Sequence, residues 1–150
     1  MNTQTALVGA LAIMVSAIFM PGNNAFSLPS RENVMHVYDG GHKRFNPRTV
    51  QTWNGLLSGI LIMAPAGTST EQMYIFLKTT EETIPVHLGP EWYVEEQDIE
   101  LLTGDRITVS GSRVIVQGRP AIIATEVRGK GRILTLRSND GIPTWDEEKE

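Results

Sequence analysis

The sequence predicts a small all-β protein, a closed barrel of five to six strands with one short helix. Short apolar segments rich in β-branched residues follow one another from residue 49 to residue 137, and glycine and proline turns separate them. A short aromatic segment, residues 91–102, interrupts the series after the third strand. A helical link between the third and fourth of five strands is typical of an OB-fold Greek-key barrel.

The first half of the barrel is predicted to hold three strands. Residues 49–63 form the first, with Gly55 and Gly59 at points where the strand can bend sharply. A turn at residues 65–68 leads into the second strand, residues 73–80, and residues 81–82 connect it to the third, residues 83–88. Pro85 lacks an N–H, so it has to lie where no ladder hydrogen bond is needed.

The second half of the barrel follows residues 91–102, which are predicted to form one or two irregular helical turns. Ile107 and Val109 alternate at period 2 on one face of the fourth strand, and Gly111 indicates a bulge in it. A turn at Gln117-Gly118 leads to the fifth strand, residues 120–127. Residues 133–137 add a sixth strand, the barrel domain ends at residue 145, and residues 146–150 form an acidic tail.

The N-terminal residues resemble an export signal. Residues 6–20 are an uncharged apolar run, too short for a transmembrane helix but typical of a signal-peptide core, and Pro21-Gly22 ends it. Ala25 and Ser27 predict cleavage after Ser27, although no Lys or Arg precedes the run. An uncleaved anchor or a buried first helix is the alternative. Cleavage predicts a periplasmic or secreted protein with no membrane span, beginning with a flexible lead-in at residues 28–48.

Composition limits the classes of function. The 150 residues are 41% apolar and 20% charged, enough for one core, and the net charge of −4 argues against wholesale coating of nucleic acid. The chain has no cysteine, which excludes disulfides, thiolate metal sites and covalent c-type haem attachment. Neither a cofactor nor a metal site is predicted. His36 and His42 flank Asp39 but have no third ligand at a defined spacing, so we expect them to be solvated.

Charge is segregated along the chain. Residues 71–105 carry nine acidic residues against Lys78, and the segment that follows is basic apart from Glu126. A basic band on one face of a barrel attracts phosphates or an acidic surface. Single-strand binding also needs aromatic platforms, and the basic segment has none; Trp53, Tyr74 and Phe76 lie on earlier strands. Cross-strand pairing with carboxylates is the other interpretation. The basic residues are Arg106, Arg113, Arg119, Arg128, Lys130, Arg132 and Arg137.

Three further side chains near the end of the third strand are candidates for a site. His87 is expected to be a structural histidine packed against Trp92 and Tyr93, since no second ligand stands near it for a metal. Trp92 and Tyr93 are expected to plug the open end of the barrel, with an exposed recognition patch as the alternative.

Enzyme chemistry finds no support in the motifs. Ser110 and Ser112 lack a partner His and Asp at a recognisable position. The Gly129-Lys130-Gly131 segment is too short for a phosphate-binding loop and indicates a hairpin turn.

Three runs of the sequence carry a resemblance to known proteins: IPVHLGPEWYV, GDRITVSGSRVIVQGRPAIIATEV and ILTLRSNDGIPTW. Their order resembles a group of exported bacterial proteins described as OB-fold or DNA-binding proteins. More distantly, it resembles the BOF family of periplasmic OB-fold proteins. The resemblance implies an OB barrel and export, and it implies little about a ligand because fold does not fix function.

The sequence thus predicts a non-catalytic, exported OB-fold binding module. Its barrel face or basic rim is expected to engage an envelope protein or an anionic small ligand. Binding of single-stranded nucleic acid is the alternative and is not favoured. The sequence does not indicate an oligomeric state.

Overall fold

The strands of the computed structural model follow the predicted order. The structure describes residues 44–65, 67–116 and 118–149. Residues 1–43, which include the predicted leader and most of the lead-in with His36 and His42, lie outside this part of the chain, as does Gln117. The elements are β1 (Val50–Met63), β2 (Gln72–Lys78), β3 (Thr83–Pro90), α1 (Glu91–Glu96), β4 (Arg106–Val116), β5 (Arg119–Gly129) and β6 (Arg132–Thr135), flanked by 3-10 helices at Pro47–Thr49 and Thr144–Lys149.

The barrel closes because β3 pairs with two strands. It is antiparallel to β2 and makes a short parallel pairing with β5, at Val86 with Ile122 and His87 with Ile123. The remaining neighbours are β2 with β1, β1 with β4, and β4 with β5. This closed order of five strands, with α1 between β3 and β4, is that of an OB barrel, so the predicted fold is confirmed. The added strand β6 pairs with β5.

Two strands are irregular at glycines where the sequence predicted a bend or a bulge. Strand β1 pairs with β4 through its first half and with β2 through its second, and its register shifts between Leu57 and Gly59. Strand β4 shifts register between Ser110 and Gly111. A Cβ at Gly111 would stand 2.3 Å from the Ile123 carbonyl oxygen, so only glycine lets the two strands approach this closely.

The sheet has an apolar layer on each side. Each barrel strand contributes the side chains of one face to the core inside the barrel, and the central side chains of this core are fully buried. They include Leu57, Ile75, Val86, Val109 and Ile122. On β2 the opposite face carries Tyr74 and Phe76, which belong to a second buried cluster on the outside of the barrel together with Val114, Val116, Ala121 and Ile123.

The chain before β1 covers part of that outer face. Phe45 packs against the outer cluster. The Asn46 backbone N–H donates to Ser112 Oγ at 3.0 Å, and the Asn46 side chain caps the first 3-10 helix by accepting from the Arg48 N–H. Within the described residues, no helix has the length and apolar character that spanning a membrane requires.

Candidate functional site: a cleft with a buried arginine

A cleft of about 420 Å³ lies on the outer face of the barrel, where β2 and β3 meet the C-terminal segment. Outer faces of this strand pair, with the neighbouring loops, are where OB barrels bind oligonucleotides and oligosaccharides. The volume falls within the range of small-molecule sites, roughly 300–1,000 Å³. The cleft is lined by Gln72, His87, Pro90, Arg137, Asp140, Gly141, Ile142, Pro143, Trp145 and Asp146.

Arg137 is the charged group at the base of the cleft. It follows β6, and only 4% of its surface is exposed. One guanidinium nitrogen, Nη1, donates to the Leu88 carbonyl oxygen at 3.1 Å and to the Ala124 carbonyl oxygen at 2.5 Å. The other, Nη2, lies 3.1 Å from His87 Nδ1. Strands β3 and β5 therefore fix the guanidinium from two sides.

The contact with Arg137 sets the proton position on His87. A guanidinium has donors only, so His87 Nδ1 must accept, and the proton of the neutral ring lies on Nε2. Nε2 then donates to Gln72 Oε1, 3.1 Å away. The imidazole also stands 5.0 Å from the Tyr74 ring. Arg137, His87 and Gln72 thus form one buried hydrogen-bonded network along the base of the cleft.

Among the described side chains, the charge of Arg137 has no carboxylate to balance it. Among the residues the structure describes, no Asp or Glu lies within 4 Å of its guanidinium. Burial lowers the pKa of Arg137 to about 10, because leaving water disfavours the charged form, and Tyr74 offsets this only in part. That pKa still keeps the group charged at neutral pH. Buried charges in proteins are ordinarily paired, so this one is a candidate for ligand binding.

Arg137 also keeps donors in reserve. A guanidinium has five N–H groups, and three of them have the acceptors named above. The Nε–H and the second Nη2–H have no acceptor in the described part of the chain. Because Arg137 lines the cleft, an acceptor for these donors can enter from it.

Trp145 forms the aromatic wall of the cleft. The Arg137 Cζ lies 4.8 Å from the centre of its ring, within the range of a cation–π contact. Gly89 admits the indole: its φ is 152°, and a Cβ there would stand 2.7 Å from the ring. Tyr93 packs on Trp145 with ring centres 5.5 Å apart and donates to the Thr135 carbonyl oxygen at 3.1 Å. The Gly89-Pro90 strand end thereby creates the space for this wall.

The other predicted cations lie on the surface, and the structure does not bring them to the cleft. Four of them pair with carboxylates: Arg113 with Glu82 at 2.8 Å, Lys130 with Asp105 at 3.2 Å and Glu100 at 3.5 Å, Arg128 with Glu126, and Arg132 with Asp98. Arg106 and Arg119 are exposed at the starts of β4 and β5. The predicted basic band of seven residues therefore consists of six surface cations and the buried Arg137.

The two aromatic residues after Pro90 have different environments. Tyr93 is buried in the barrel core, whereas Trp92 is 38% exposed and meets Tyr93 edge-on with ring centres 5.9 Å apart. The aromatic ring beside His87 is that of Tyr74, on the neighbouring strand. Only one of the two predicted plug residues is therefore covered.

Two serines of β4 have structural partners. Ser110 Oγ bonds Thr52 Oγ1 at 2.9 Å, and Ser112 Oγ holds the segment before β1. Across the described residues, no group of three His, Asp or Glu side chains is arranged to hold a metal ion.

Sequence reasoning missed eight of the ten residues that line the cleft, among them Gln72, Asp140, Trp145 and Asp146. Gln72 directly precedes the predicted second strand, and Asp140, Trp145 and Asp146 lie in a segment interpreted as a closing turn and an acidic tail. No local pattern connects them to His87, because they meet only when the barrel closes and the C-terminal segment folds back over β3.

Residues 49–134, more than half of the chain, match the family model described as the MamS/MamX magnetosome protein family. The chain therefore belongs to the MamS/MamX magnetosome protein family. The match includes Gln72, His87 and Pro90 and ends before Arg137. A search of curated proteins finds no match to the chain. The resemblance to exported OB-fold proteins of the BOF type stays a prediction.

Proposed function

We propose that this member of the MamS/MamX magnetosome protein family is a non-catalytic binding module whose cleft takes an anionic group on Arg137. The single observation that carries the proposal is a buried guanidinium at the base of a cleft on the β2–β3 face, which has neither a carboxylate partner nor acceptors for all its N–H donors among the described residues. A ligand carboxylate or phosphate would supply both the missing acceptors and the missing counter-charge.

Fixed geometry supports the proposal. The two carbonyl oxygens and His87 hold the guanidinium before a ligand arrives, so binding orders few additional side chains. The anionic group can belong to a small ligand or to a protein partner, since a C-terminal carboxylate presents the same chemistry.

Nucleic acid is the weaker candidate because of two features of the described residues. Tyr74 and Phe76 lie on the face that OB barrels use for stacking bases, but both are buried within the outer cluster. Four of the surface cations already have carboxylate partners. Phosphate contacts at those positions would have to displace them.

We propose that the protein acts at the magnetosome, because it belongs to this family. We also propose that it acts outside the cytoplasm, because the apolar run of residues 6–20 resembles a signal-peptide core. Mass spectrometry of the chain recovered from cells checks the second point. Cleavage after Ser27 leaves Leu28 as the first residue, and a chain that keeps Met1 would contradict export by cleavage.

Titration calorimetry with glutarate, inorganic phosphate and a short peptide tests the binding proposal. The peptide is used with a free and with an amidated C-terminus, which separates a protein source of the carboxylate from a small-molecule source. We expect saturable binding of at least one anion, weakened at least about tenfold in Arg137→Met, which keeps the side-chain volume but removes the charged donors. The amidated peptide should not bind.

A second variant tests the cleft without touching its buried network. Ile142 lines the cleft and is 55% exposed, and Ile133 is 58% exposed on β6 outside it. Ile142→Glu should weaken anion binding, whereas the matched Ile133→Glu should not. Equal affinities in the two variants, or no binding of any anion by the parent chain, would overturn the proposal. An oligothymidylate of about twenty nucleotides should not bind at low salt; binding that falls steeply with salt would favour the nucleic-acid function instead.

A further inference from the structure

The mouth of the cleft has the opposite charge to its base. Asp140 and Asp146 both line it, and both are exposed. Neither has a cationic partner within 4 Å among the described residues. We infer that the cleft selects a dipolar ligand, a small molecule with a carboxylate at one end and an ammonium group at the other. The inference rests on the proposed function, because it assumes that the carboxylate reaches Arg137.

Local structure keeps the two signs of charge apart. Residues 138–142 form a turn in which the Gly141 N–H donates to the Ser138 carbonyl oxygen and the Ser138 N–H to the Ile142 carbonyl oxygen. A bridge between Arg137 and Pro143 closes the base of this turn. Asp140 lies at its tip, so it does not fold back to neutralise Arg137, although only two residues separate them.

This separation affects which anions enter. A simple carboxylate must pass two unpaired acidic side chains before it meets the guanidinium, and like charges repel it. An ammonium group at the far end of the same ligand would stay at the mouth, where Asp140 and Asp146 attract it. A dianion would be attracted by Arg137 at one end and repelled by Asp140 and Asp146 at the other.

The cleft also has an apolar wall. Pro90, Ile142, Pro143 and Trp145 contribute to its lining. Methylene groups fit such a wall, since burying each one is favourable. The cleft therefore matches a carboxylate and an ammonium joined by a short aliphatic spacer.

Four probes of one length test the inference on the mature chain: 6-aminohexanoate, hexanoate, adipate and hexylammonium. Each has an unbranched chain of four or five methylene groups, and they differ in the charges at the two ends. We expect 6-aminohexanoate to bind about tenfold more tightly than hexanoate or adipate at low salt, with hexylammonium weakest of all. Calorimetry measures each affinity directly.

Variants at the mouth separate this inference from the proposed function. The double change Asp140→Asn and Asp146→Asn should reduce the preference for 6-aminohexanoate over hexanoate to about twofold without weakening hexanoate, because only the repelling and attracting charges are removed. Asp98→Asn, a surface acid outside the cleft, should leave the preference unchanged. Arg137→Met should weaken both ligands.

The outcomes are distinct. Equal affinity of the parent chain for 6-aminohexanoate and hexanoate would overturn the dipolar inference and leave anion binding in place. A preference that survives in the double variant would also overturn it. The proposed function itself fails when the parent chain binds no anion, or when Ile142→Glu and Ile133→Glu bind anions equally well.

Discussion

Arg137 and the arginines of the barrel surface have the same side chain in opposite surroundings. Arg132 and Arg128 are exposed, and each is paired with a carboxylate that is also in contact with water. Arg137 is buried, and its acceptors are two carbonyl oxygens and a neutral imidazole. In the sequence all three belong to one basic segment. The fold gives them different physical roles.

The difference concerns what each charge contributes. An exposed ion pair contributes about 0–1 kcal/mol, so the surface pairs serve solubility more than stability. A guanidinium withdrawn from water loses several kcal/mol of hydration, and neutral acceptors return only part of it. A fold that keeps such a group beside a cleft has a reason other than stability. Ligand binding supplies that reason in our proposal.

The largest expected effect comes from removing the buried guanidinium altogether. Arg137→Ala deprives Leu88, Ala124 and His87 of a donor and leaves a void against Trp145. We expect the free energy of unfolding to fall by about 2–4 kcal/mol, part of the loss being offset because a buried charge is removed. Urea unfolding followed by tryptophan fluorescence measures it.

Arg132→Ala is the matched control. Its side chain is exposed on β6, and the change should lower the free energy of unfolding by less than about 0.5 kcal/mol. Similar losses in the two variants would mean that Arg137 is no more embedded in the fold than a surface residue.

The sequence predicted the features that depend on residues close together along the chain better than those that depend on residues far apart. The barrel followed from local patterns: the glycines of β1 and β4 stand where the register shifts, and period-2 alternation put Ile107 and Val109 in the core. These features are encoded by neighbouring residues, which is why sequence reasoning reached them. Strand order was inferred only from the glycine positions, because periodicity does not show which strands pair, and the closing contact joins Val86 and His87 to the distant Ile122 and Ile123.

The site is encoded differently. His87 and Arg137 were both candidates, but for separate reasons, and nothing local showed that they touch. Their contact depends on the C-terminal segment folding back over β3, and on Gly89 leaving room for Trp145. Charge segregation was also misleading in one respect, because a basic segment says nothing about which of its members a barrel buries.

A smaller effect should appear in the pH dependence of stability. Burial lowers the pKa of Arg137 from its ordinary value to about 10, so in the pH window between about 10 and that ordinary value the unfolded chain binds more protons than the folded one. Stability owed to this group therefore rises with pH through that window and is constant well below it. We expect the difference in unfolding free energy between the parent chain and Arg137→Met to shift by roughly 1 kcal/mol in favour of the parent from pH 9 to pH 11.

The comparison with Arg137→Met cancels the titration of side chains that are common to both chains and do not interact with Arg137. Arg132→Met provides the surface counterpart, and its difference from the parent should stay flat over the same range. A flat difference for Arg137→Met as well would show that the buried guanidinium has the proton affinity of an exposed one.

The smallest effect is expected at the surface pair of Arg113 and Glu82, which joins β4 to the turn before β3 across 2.8 Å. Both side chains are about one-third exposed, so solvent screens their attraction, and a double-mutant cycle of Arg113→Gln and Glu82→Gln should give a coupling energy of about 0.2–1 kcal/mol. Adding salt to about 1 M should reduce it further, because the Debye length falls to about 3 Å. Coupling between Arg137→Met and His87→Phe should resist the same salt, since no ions reach a pair buried on both sides. If salt weakens both couplings alike, the division of the cations into buried and surface kinds does not hold.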